Sequence, residues 1–374
     1  MHDSYMGMLQ ERIRKDPHLK DHVILLVVVS SLLSFSLIFV HSMAAGIADK
    51  YAYIGSGHLT ISGAYAGENA FPVRKSSALL YGSKKTVPLL VKGVGDDYFT
   101  AQRRKELSLA EQDGSILADD GGGKPRLAIS ERLASSLSLA VGDNALLVFP
   151  VDGSFKPVLC TVGVLFASGY AELDDSLVFC PLSLLQRFDA PLETEVLVDG
   201  NVSEAKQRLL QEGYNVSAWY EDNSDIADNL RTSQNVVTGV FFAIAFLAAY
   251  FISEFSSTMV TDKKREIATI KLMGMKDKEI RRVFFRAIFR ISVGAVFIGV
   301  ALGIILSYVS LPILGFFAKS GFAAFSYYLL SFPIRIPVVR ILLVIAFLFV
   351  LSMISAAVSL DRIKKIEPIS LIQA

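Results

Sequence analysis

Residues 236–275 read VVTGVFFAIAFLAAYFISEFSSTMVTDKKREIATIKLMGM, an apolar run that changes abruptly into a basic one. A bilayer core about 30 Å thick needs roughly 20 apolar residues in an α-helix. The part from Val236 to Val260 is therefore long enough to cross a membrane. The Lys and Arg residues that follow favour the cytoplasmic side, because basic residues are enriched in cytoplasmic loops. This stretch predicts a transmembrane helix that ends at a cytoplasmic surface.

Three further apolar runs of membrane length lie on either side of this stretch. They are Val23–Ala45, Ile288–Leu314 and Val338–Leu360. The chain of 374 residues is 52% hydrophobic and has a mean hydropathy of +0.46, which is more apolar than is usual for soluble domains. Composition and apolar runs together predict a polytopic α-helical membrane protein with four transmembrane helices.

Lys and Arg residues are distributed unevenly among the segments that flank the four spans. They crowd the segment before the first span, the loop between the second and third, and the tail after the fourth. By the positive-inside rule, both termini are cytoplasmic and the large segment between the first two spans is periplasmic. We therefore predict an inner-membrane protein with a cytoplasmic N-terminal segment (1–22), a periplasmic domain with stalk ends (46–235), a cytoplasmic coupling loop (261–287), a periplasmic loop (315–337) and a cytoplasmic tail (361–374).

The large segment between the first two spans has an ordinary soluble composition, with strand-like and helix-like runs. Predicted helices cover Ser130–Leu139, with Ser130 as the cap, and Ser203–Gln211, with Ser203 as the cap. We therefore predict a large α+β extracytoplasmic domain inserted between transmembrane helices 1 and 2. Its strand-like runs are Gly57–Ser62, Val87–Lys92, Ala145–Phe149, Val158–Phe166, Ser176–Cys180, Glu195–Val198 and Tyr214–Trp219.

The two cysteines, Cys160 and Cys180, fall in two of these strand-like runs. An oxidising compartment permits a disulfide between them. Both positions also suit a small apolar side chain in a core. The sequence leaves both interpretations open.

No motif for catalysis or cofactor binding is visible in the chain. Gly123-Lys124 superficially resembles a phosphate-binding loop, but Ala118 stands where the first glycine belongs and Pro125 replaces the Ser or Thr. The five histidines lack metal-ligand spacing, and a net charge of +1 gives no indication of nucleic-acid binding. We therefore expect no enzyme, no metal site and no nucleic-acid partner, so that any energy the chain uses must come from a partner.

The basic loop after the second span has the pattern of a short helix, a turn and another helix. Gly274 suits a helix C-terminus, and Asp277 can cap the helix that leads into the third span. A loop that only sets topology is the alternative, but this pattern favours a docking element. The apolar side chains of the short helix fall on or near one side: Ile267, Ile270, Leu272 and Met273.

Two features inside the predicted spans concern polarity and packing. Glu254 lies in the second span, where a carboxylate costs roughly 2.5–3.5 kcal/mol on insertion scales and should face a bundle or cavity. Two explanations for this carboxylate remain open. Glu254 lies close enough to the membrane surface to reach water, or it has a role at a subunit interface. Ala295, Gly299 and Gly303 repeat at four-residue spacing in the third span, which permits close approach of another helix.

The stretch from Asp262 to Gly303 resembles the signature region of FtsX-like/MacB-type permeases, the type VII ABC transporters. The basic ending before Pro368 resembles theirs as well. Members of this family have one span, a large outer domain and then three spans, which matches the predicted layout. Three runs of the outer domain resemble the lipoprotein-releasing permeases of the LolC/LolE family: Val91–Val94, Leu127–Ala134 and Gly169–Ser176.

This resemblance implies a permease subunit that extracts lipoproteins from the inner membrane for a periplasmic carrier. It also implies a second permease, identical or paralogous, and two copies of an ABC ATPase that bind ATP and Mg. Motion would pass through the stalk by mechanotransmission, and this chain would hold no cofactor. The implied ATPase-coupling residues are Lys264, Arg265, Glu266, Ile270, Met273, Gly274 and Met275. The implied substrate cavity is lined by aromatic residues of the first two spans: Phe35, Phe39, Phe242, Phe246 and Tyr250. The alternative is that these side chains face lipid or the protein core.

Two other roles fit the same family. One is type VII export of a peptide or drug, and the other is an FtsX-like signalling permease that regulates cell-wall hydrolases. The outer domain is large for the hydrolase-regulating members, and no ATPase is fused within this sequence as is common in drug exporters. We therefore expect lipoprotein release.

Overall fold

In a computed structural model, residues 17–82, 85–109, 116–117, 123–151, 153–319 and 332–365 are described. The chain forms two compact units. The helical unit comprises Met1–Ser42, Arg231–Leu311 and Ile334–Ala374. The sheet unit comprises Met43–Leu230 and Pro312–Pro333.

The α-helices are, in chain order, α1 (Pro17–Lys50), α2 (Ala101–Glu106), α3 (Glu131–Leu137), α4 (Ala171–Ser176), α5 (Leu182–Gln186), α6 (Val202–Gln211), α7 (Trp219–Asp222), α8 (Ser224–Asp262), α9 (Lys264–Leu272), α10 (Asp277–Lys319) and α11 (Val338–Leu360). The strands are β1 (Leu59–Ser62), β2 (Ala70–Tyr81), β3 (Thr86–Val94), β4 (Arg126–Ser130), β5 (Asn144–Val151), β6 (Ser154–Phe166), β7 (Leu177–Pro181), β8 (Leu192–Val196) and β9 (Val216–Ala218). A π-helix over Tyr51–Gly55 follows α1, and 3-10 turns cover Asp96–Tyr98 and Asp361–Lys365.

Four of these helices, α1, α8, α10 and α11, are long and apolar enough to cross a membrane. At a rise of 1.5 Å per residue, even α11 with its 23 residues measures about 35 Å, which exceeds a hydrocarbon core of about 30 Å. The prediction of four apolar helices of membrane-crossing length is confirmed. Helix α8 begins at Ser224, well before the predicted span start at Val236. The apolar run marks the part that suits lipid, whereas helical hydrogen bonding continues through the polar residues before it.

Helices α1 and α10 pack closely because two glycines of α10 face α1. A Cβ atom on Gly299 would lie 2.6 Å from the Val27 carbonyl oxygen, and one on Gly303 would lie 2.6 Å from the Ser31 carbonyl oxygen. Both distances are too short for a side chain, so only glycine allows this contact. The close helix approach predicted for these glycines is confirmed, and Ala295, one turn earlier, is also buried.

Helices α8 and α11 are joined by serine hydrogen bonds. The Ser253 and Ser359 hydroxyl oxygens lie 2.6 Å apart. Ser355 Oγ donates to the Ala249 carbonyl at 2.8 Å. Because lipid offers no hydrogen-bond partners, such bonds between apolar helices help to hold one arrangement of the pair.

The sheet unit is built on one sheet, whose described strands follow the order β3-β7-β4-β6-β5-β2-β8-β1-β9. Strand β2 is central, since it pairs antiparallel with β3 along residues 73–81, with β8 along 70–74 and with β5 along 79–81. The additional pairing of β2 with β3 closes the six strands β3, β7, β4, β6, β5 and β2 into a ring of paired strands. Strands β3 and β7 are parallel, as are β4 and β6. The α+β prediction agrees with this β-rich unit and its short helices.

One predicted helix cap is confirmed, one is wrong, and two strands were not predicted. Ser130 caps α3 as predicted, since its hydroxyl accepts a hydrogen bond from the Leu133 backbone N–H at 2.9 Å. The predicted cap of α6 is wrong, because Asn201 Oδ1 accepts the hydrogen bond from the Ser203 N–H and Ser203 lies inside the helix. Strands β2 and β4 were not among the predicted strand-like runs, although β2 organises the whole sheet.

Both cysteines are free and buried in the same apolar cluster of the sheet unit. Burial raises the pKa of the Cys160 thiol to about 12. Burial also raises the pKa of the Cys180 thiol well above its ordinary value. The question left open by the sequence is therefore answered in favour of core positions with unreactive thiols.

Candidate functional site

The predicted coupling segment folds as the short helix α9 between the two long helices α8 and α10. A single turn residue, Lys263, separates α8 from α9. On the inner side of α9, Ile267 and Ala268 are buried in a cluster that also contains Ile280 of α10 and Ile363 of the turn after α11. This packing holds α9 firmly against the helical unit.

The C-terminal end of α9 is held by a glycine and a lysine. Gly274 has a φ of +89°, a conformation that other residues rarely adopt, and its N–H donates to the Lys271 carbonyl at 3.0 Å. Lys271 Nζ donates to the Ile363 carbonyl at 2.8 Å and lies 2.8 Å from Asp277 Oδ1. Met275 is buried just beyond the turn. The helix end predicted at Gly274 is confirmed.

The outer side of α9 forms an exposed surface, which we call the α9 patch. Lys264 and Arg265 are exposed near its start, and Leu272 and Met273 at its end are 56% and 60% exposed. The prediction that these two apolar residues share a side with Ile267 is wrong. Five residues at about 100° each place Leu272 about 140° from Ile267 around the helix axis. The α9 patch thus combines cations with apolar side chains on a helix that packs against the apolar cluster, which suits a protein partner.

The remaining predicted coupling residues support the α9 patch from other positions. Ile270 packs partly buried against the apolar cluster, together with the buried Met275. Glu266 Oε1 lies 3.8 Å from Lys263 Nζ at the start of the helix. Ile270 and Met275 therefore position α9 and present little surface to a partner.

The aromatic residues predicted to line a substrate cavity lie on α1 and α8 and contact other aromatic rings. Phe35 and Phe39 of α1 have ring centroids 5.7 Å apart. Phe242 and Phe246 of α8 both contact Phe347 of α11, at centroid distances of 4.8 and 5.4 Å. Phe347 was not among the predicted cavity residues, because only the packing of α11 on α8 brings it to this position.

Phe246, Tyr250 and Glu254 share one exposed stripe of α8. They are spaced four residues apart, which keeps side chains on the same helix face, and Phe246 and Tyr250 are 58% and 63% exposed. Glu254 is exposed on this stripe as well. Among the residues that the structure describes, none of the packed helices of its own unit covers this carboxylate.

A buried ionic cluster in the sheet unit was not predicted from the sequence. Lys92 Nζ lies 2.6 Å from Glu195 Oε1, and Arg103 Nη2 lies 3.5 Å from Glu195 Oε2, with all three side chains fully buried. Lys75 Nζ lies 3.2 Å from Glu195 Oε1, and Tyr98 Oη donates to Glu195 Oε2 at 3.2 Å. Three cations thus surround one carboxylate.

Two of these cations, Lys92 and Arg103, cap the carbonyl end of the π-helix that follows α1. Lys92 Nζ donates to the Ile54 and Gly55 carbonyls, both at 2.8 Å. Arg103 Nε donates to the Tyr53 carbonyl at 2.8 Å. Because the C-terminal end of a helix carries partial negative charge, cations stabilise it. The cluster therefore fixes residues 51–55 to the sheet.

Burial and charge act in opposite directions on the titration of this cluster. Burial lowers the pKa of Lys92 to about 7, against the attraction of Glu195. Burial alone would raise the pKa of Glu195, but Lys92, Lys75 and Arg103 hold it below its ordinary value. The geometry favours an ammonium on Lys92 at neutral pH, because two carbonyls and a carboxylate around its Nζ accept hydrogen bonds from it.

Comparison with known proteins connects the helical unit to a family. Residues 238–368 match the FtsX-like permease C-terminal family. The chain is 23% identical to the lipoprotein-releasing system transmembrane protein LolC of Xylella fastidiosa (strain Temecula1), over 58% of this chain and 54% of that protein. It is 23% identical to the LolC protein of Haemophilus influenzae, over 66% of this chain and 63% of that protein. The chain thus spans only about half to two thirds of the length of these relatives.

A solved structure also shows similarity to part of the chain. The extracellular domain of the noncanonic ABC-type transporter YknZ from Gram-positive bacteria covers 46% of this chain and 87% of its own, at 16% identity and a TM-score of 0.27. The family match over residues 238–368 contains most of α8 and the whole of α9, α10 and α11. The chain, with its four apolar helices, therefore carries an FtsX-like permease domain at residues 238–368 and is similar to the LolC proteins.

Proposed function

We propose that this permease extracts lipoproteins from the inner membrane, with ATP hydrolysed by a separate subunit. The observation that carries the proposal is the α9 patch, an exposed surface on a well-packed helix inside the family-matched region. The relatives named as a lipoprotein-releasing system support the choice of cargo. Delivery of the cargo to a periplasmic carrier belongs to the same proposal.

Coupling to an ATPase would act through the α9 patch. Lys264 and Arg265 suit acidic groups of the partner, and Leu272 and Met273 suit an apolar pocket on it. Because Ile267 is buried in the apolar cluster, a displacement of α9 by the ATPase would also move α8 and α10. Two ATPase copies, which bind ATP and Mg, would serve this permease and a second one, identical or paralogous. Motion would then travel outward through stalk extensions of the first two spans.

The cargo and the second permease would meet the exposed stripe of α8. An acyl chain gains roughly 0.8 kcal/mol per buried CH₂ group, so a lipid anchor needs an apolar surface such as that of Phe246 and Tyr250. A second permease across this stripe would enclose that surface and surround Glu254, whose carboxylate is unfavourable in open lipid.

The test of coupling changes the apolar end of the α9 patch. Leu272→Asp with Met273→Asp should leave the chain inserted but reduce co-purification of the ATPase by about tenfold or more, since buried apolar anchors dominate interfaces. Leu210→Asp, at an exposed leucine of the sheet unit, is the matched control and should change nothing. Normal ATPase association of the double variant would show that α9 is not the docking element.

The test of cargo uses a photo-crosslinker at Phe246. Lipoprotein should be captured without nucleotide and lost when a non-hydrolysable ATP analogue is added. Capture of a soluble peptide would favour the export alternative. Crosslinks to phospholipid alone, unchanged by nucleotide, would show that this stripe faces the bilayer and would overturn the proposed cargo site.

A further inference from the structure

A pocket of about 450 Å³ lies between the start of α10 and the end of α11. It has a basic rim and an apolar wall. Its lining residues are Lys278, Arg281, Arg282, Phe285, Ala357, Val358 and Asp361. Three cations and one carboxylate give the pocket a net charge of +2, so its electrostatic complement is an anion.

The pocket lies where both helices change from charged to apolar sequence. On α10, basic residues continue to Arg290, and a long apolar run follows. On α11, the apolar run ends at Leu360, directly before Asp361. The pocket is therefore at the level of a membrane–water boundary, on the side that the positive-inside rule assigns to the cytoplasm.

Two of the three cations remain available to a ligand. Arg281 pairs with Asp361, and Lys364 Nζ lies 3.2 Å from the same carboxylate. Hydrogen bonds from Lys364 and then Arg281 lower the pKa of Asp361, so its charge is already matched. Within the part of the chain that the structure describes, Lys278 and Arg282 have no salt bridge, and both are exposed.

Exposed apolar side chains of α11 form a track that leads from the pocket toward the middle of the membrane-spanning segment. Val358, Ile354 and Val350 are all more than half exposed, and their four-residue spacing places them on one helix face. Phe285 at the pocket wall stacks on Phe289, with ring centroids 6.5 Å apart. A basic pocket that opens onto an apolar track matches an amphipathic anion.

We propose that this pocket binds the phosphate headgroup of an anionic phospholipid, whose acyl chain lies along the track of Val358, Ile354 and Val350. Lys278 and Arg282 contact the phosphate, since basic side chains at the membrane surface attract anionic lipid. A free phosphate would use the cations but gain nothing from the apolar track. The site is independent of the cargo and of the ATPase in the proposed function.

The test measures lipid binding to the purified full-length chain by native mass spectrometry, with phosphatidylglycerol and phosphatidylcholine as probes. Lys278→Gln with Arg282→Gln should reduce phosphatidylglycerol affinity by about 30-fold, which is about 2 kcal/mol, and leave phosphatidylcholine binding unchanged. The matched control, Lys264→Gln with Lys276→Gln, removes two exposed cations of the same loop outside the pocket. It should keep the preference for the anionic lipid.

A second measurement locates the lipid and distinguishes other ligands. A photo-crosslinker at Val358 should capture phosphatidylglycerol in vesicles and lose this capture in the double glutamine variant, whereas one at the exposed Leu343 of α11 should be unaffected. Equal lipid preference in all variants would overturn the proposal. Displacement of the lipid by millimolar inorganic phosphate would overturn it in favour of a phosphate site. Loss of ATPase association in the Lys278→Gln, Arg282→Gln variant, with unchanged lipid binding, would overturn the proposal in favour of a protein contact.

Discussion

Lys92 of β3 and Glu195 of β8 form a fully buried ion pair across the central strand β2, with 2.6 Å between Nζ and Oε1. Lys75 of β2 lies between them, since it is directly opposite Lys92 in the β2–β3 register. Removing water from charges is expensive, so a buried pair persists only when further hydrogen bonds satisfy its remaining groups. Here those bonds come from Tyr98 and from the carbonyls of Ile54 and Gly55.

Loss of the carboxylate should destabilise the sheet unit strongly. Glu195→Gln leaves the Lys92 and Arg103 cations buried without their counter-charge, so we expect a loss of about 3–5 kcal/mol of unfolding free energy. Denaturant titration of the full-length chain in detergent measures it. The exposed pair of Arg132 and Asp175 provides the control, because Asp175→Asn should cost less than about 1 kcal/mol. Equal effects of the two changes would contradict the role given to the cluster.

The same carboxylate should make the stability of the sheet unit sensitive to acid. The pKa of Glu195 is held below its ordinary value in the folded chain, so the unfolded chain binds the proton more readily. The resulting stability is present above the unfolded pKa of about 4.3 and is lost as the pH falls through the folded pKa. The stability difference between the native chain and Glu195→Gln should therefore shrink in acid. A difference that stays constant from pH 7 to about 3 would contradict this account.

A side chain at Gly303 should separate α10 from α1. A Cβ atom there already lies 2.6 Å from the Ser31 carbonyl and 2.8 Å from Ser34 Cβ, so Gly303→Leu should cost about 1–3 kcal/mol or more. Protease resistance of the detergent-solubilised chain should fall. Gly294→Leu on the same helix is the control, since its Cβ atom would meet open space. A Gly303→Leu chain as resistant as the control would show that the contact of α10 with α1 is not required.

Cysteine labelling should establish which side of the membrane each unit faces. Ser154→Cys should react with an impermeant maleimide in spheroplasts, and Lys276→Cys should react only after the membrane is opened, because the positive-inside rule places residue 276 in the cytoplasm. Cys160 and Cys180 should give no background, since both are buried thiols whose pKa values are raised. The reverse labelling pattern would overturn the orientation.

The sequence by itself determined the features that depend on a single run of residues. Apolar length predicts the four membrane-crossing helices, because lipid requires a helix of about 20 apolar residues. Gly274 and Ser130 predict a helix end and a helix start, because each acts on backbone within a few residues of itself. The glycines at 299 and 303 predict a close helix contact for the same local reason.

Tertiary structure decided what depends on residues far apart in the chain. Lys92 and Glu195 meet only because β2 pairs with both β3 and β8, and Phe347 meets Phe242 only because α11 packs on α8. The pairing of β2 could not be predicted, since its mixed burial pattern lacks the regular alternation of a strand with one buried face. Likewise, Leu272 and Met273 belong to an amphipathic run, yet the apolar cluster buries Ile267 and Ala268 and leaves Leu272 and Met273 exposed. Local chemistry specifies the helices, and long-range packing selects which of their side chains remain available to partners.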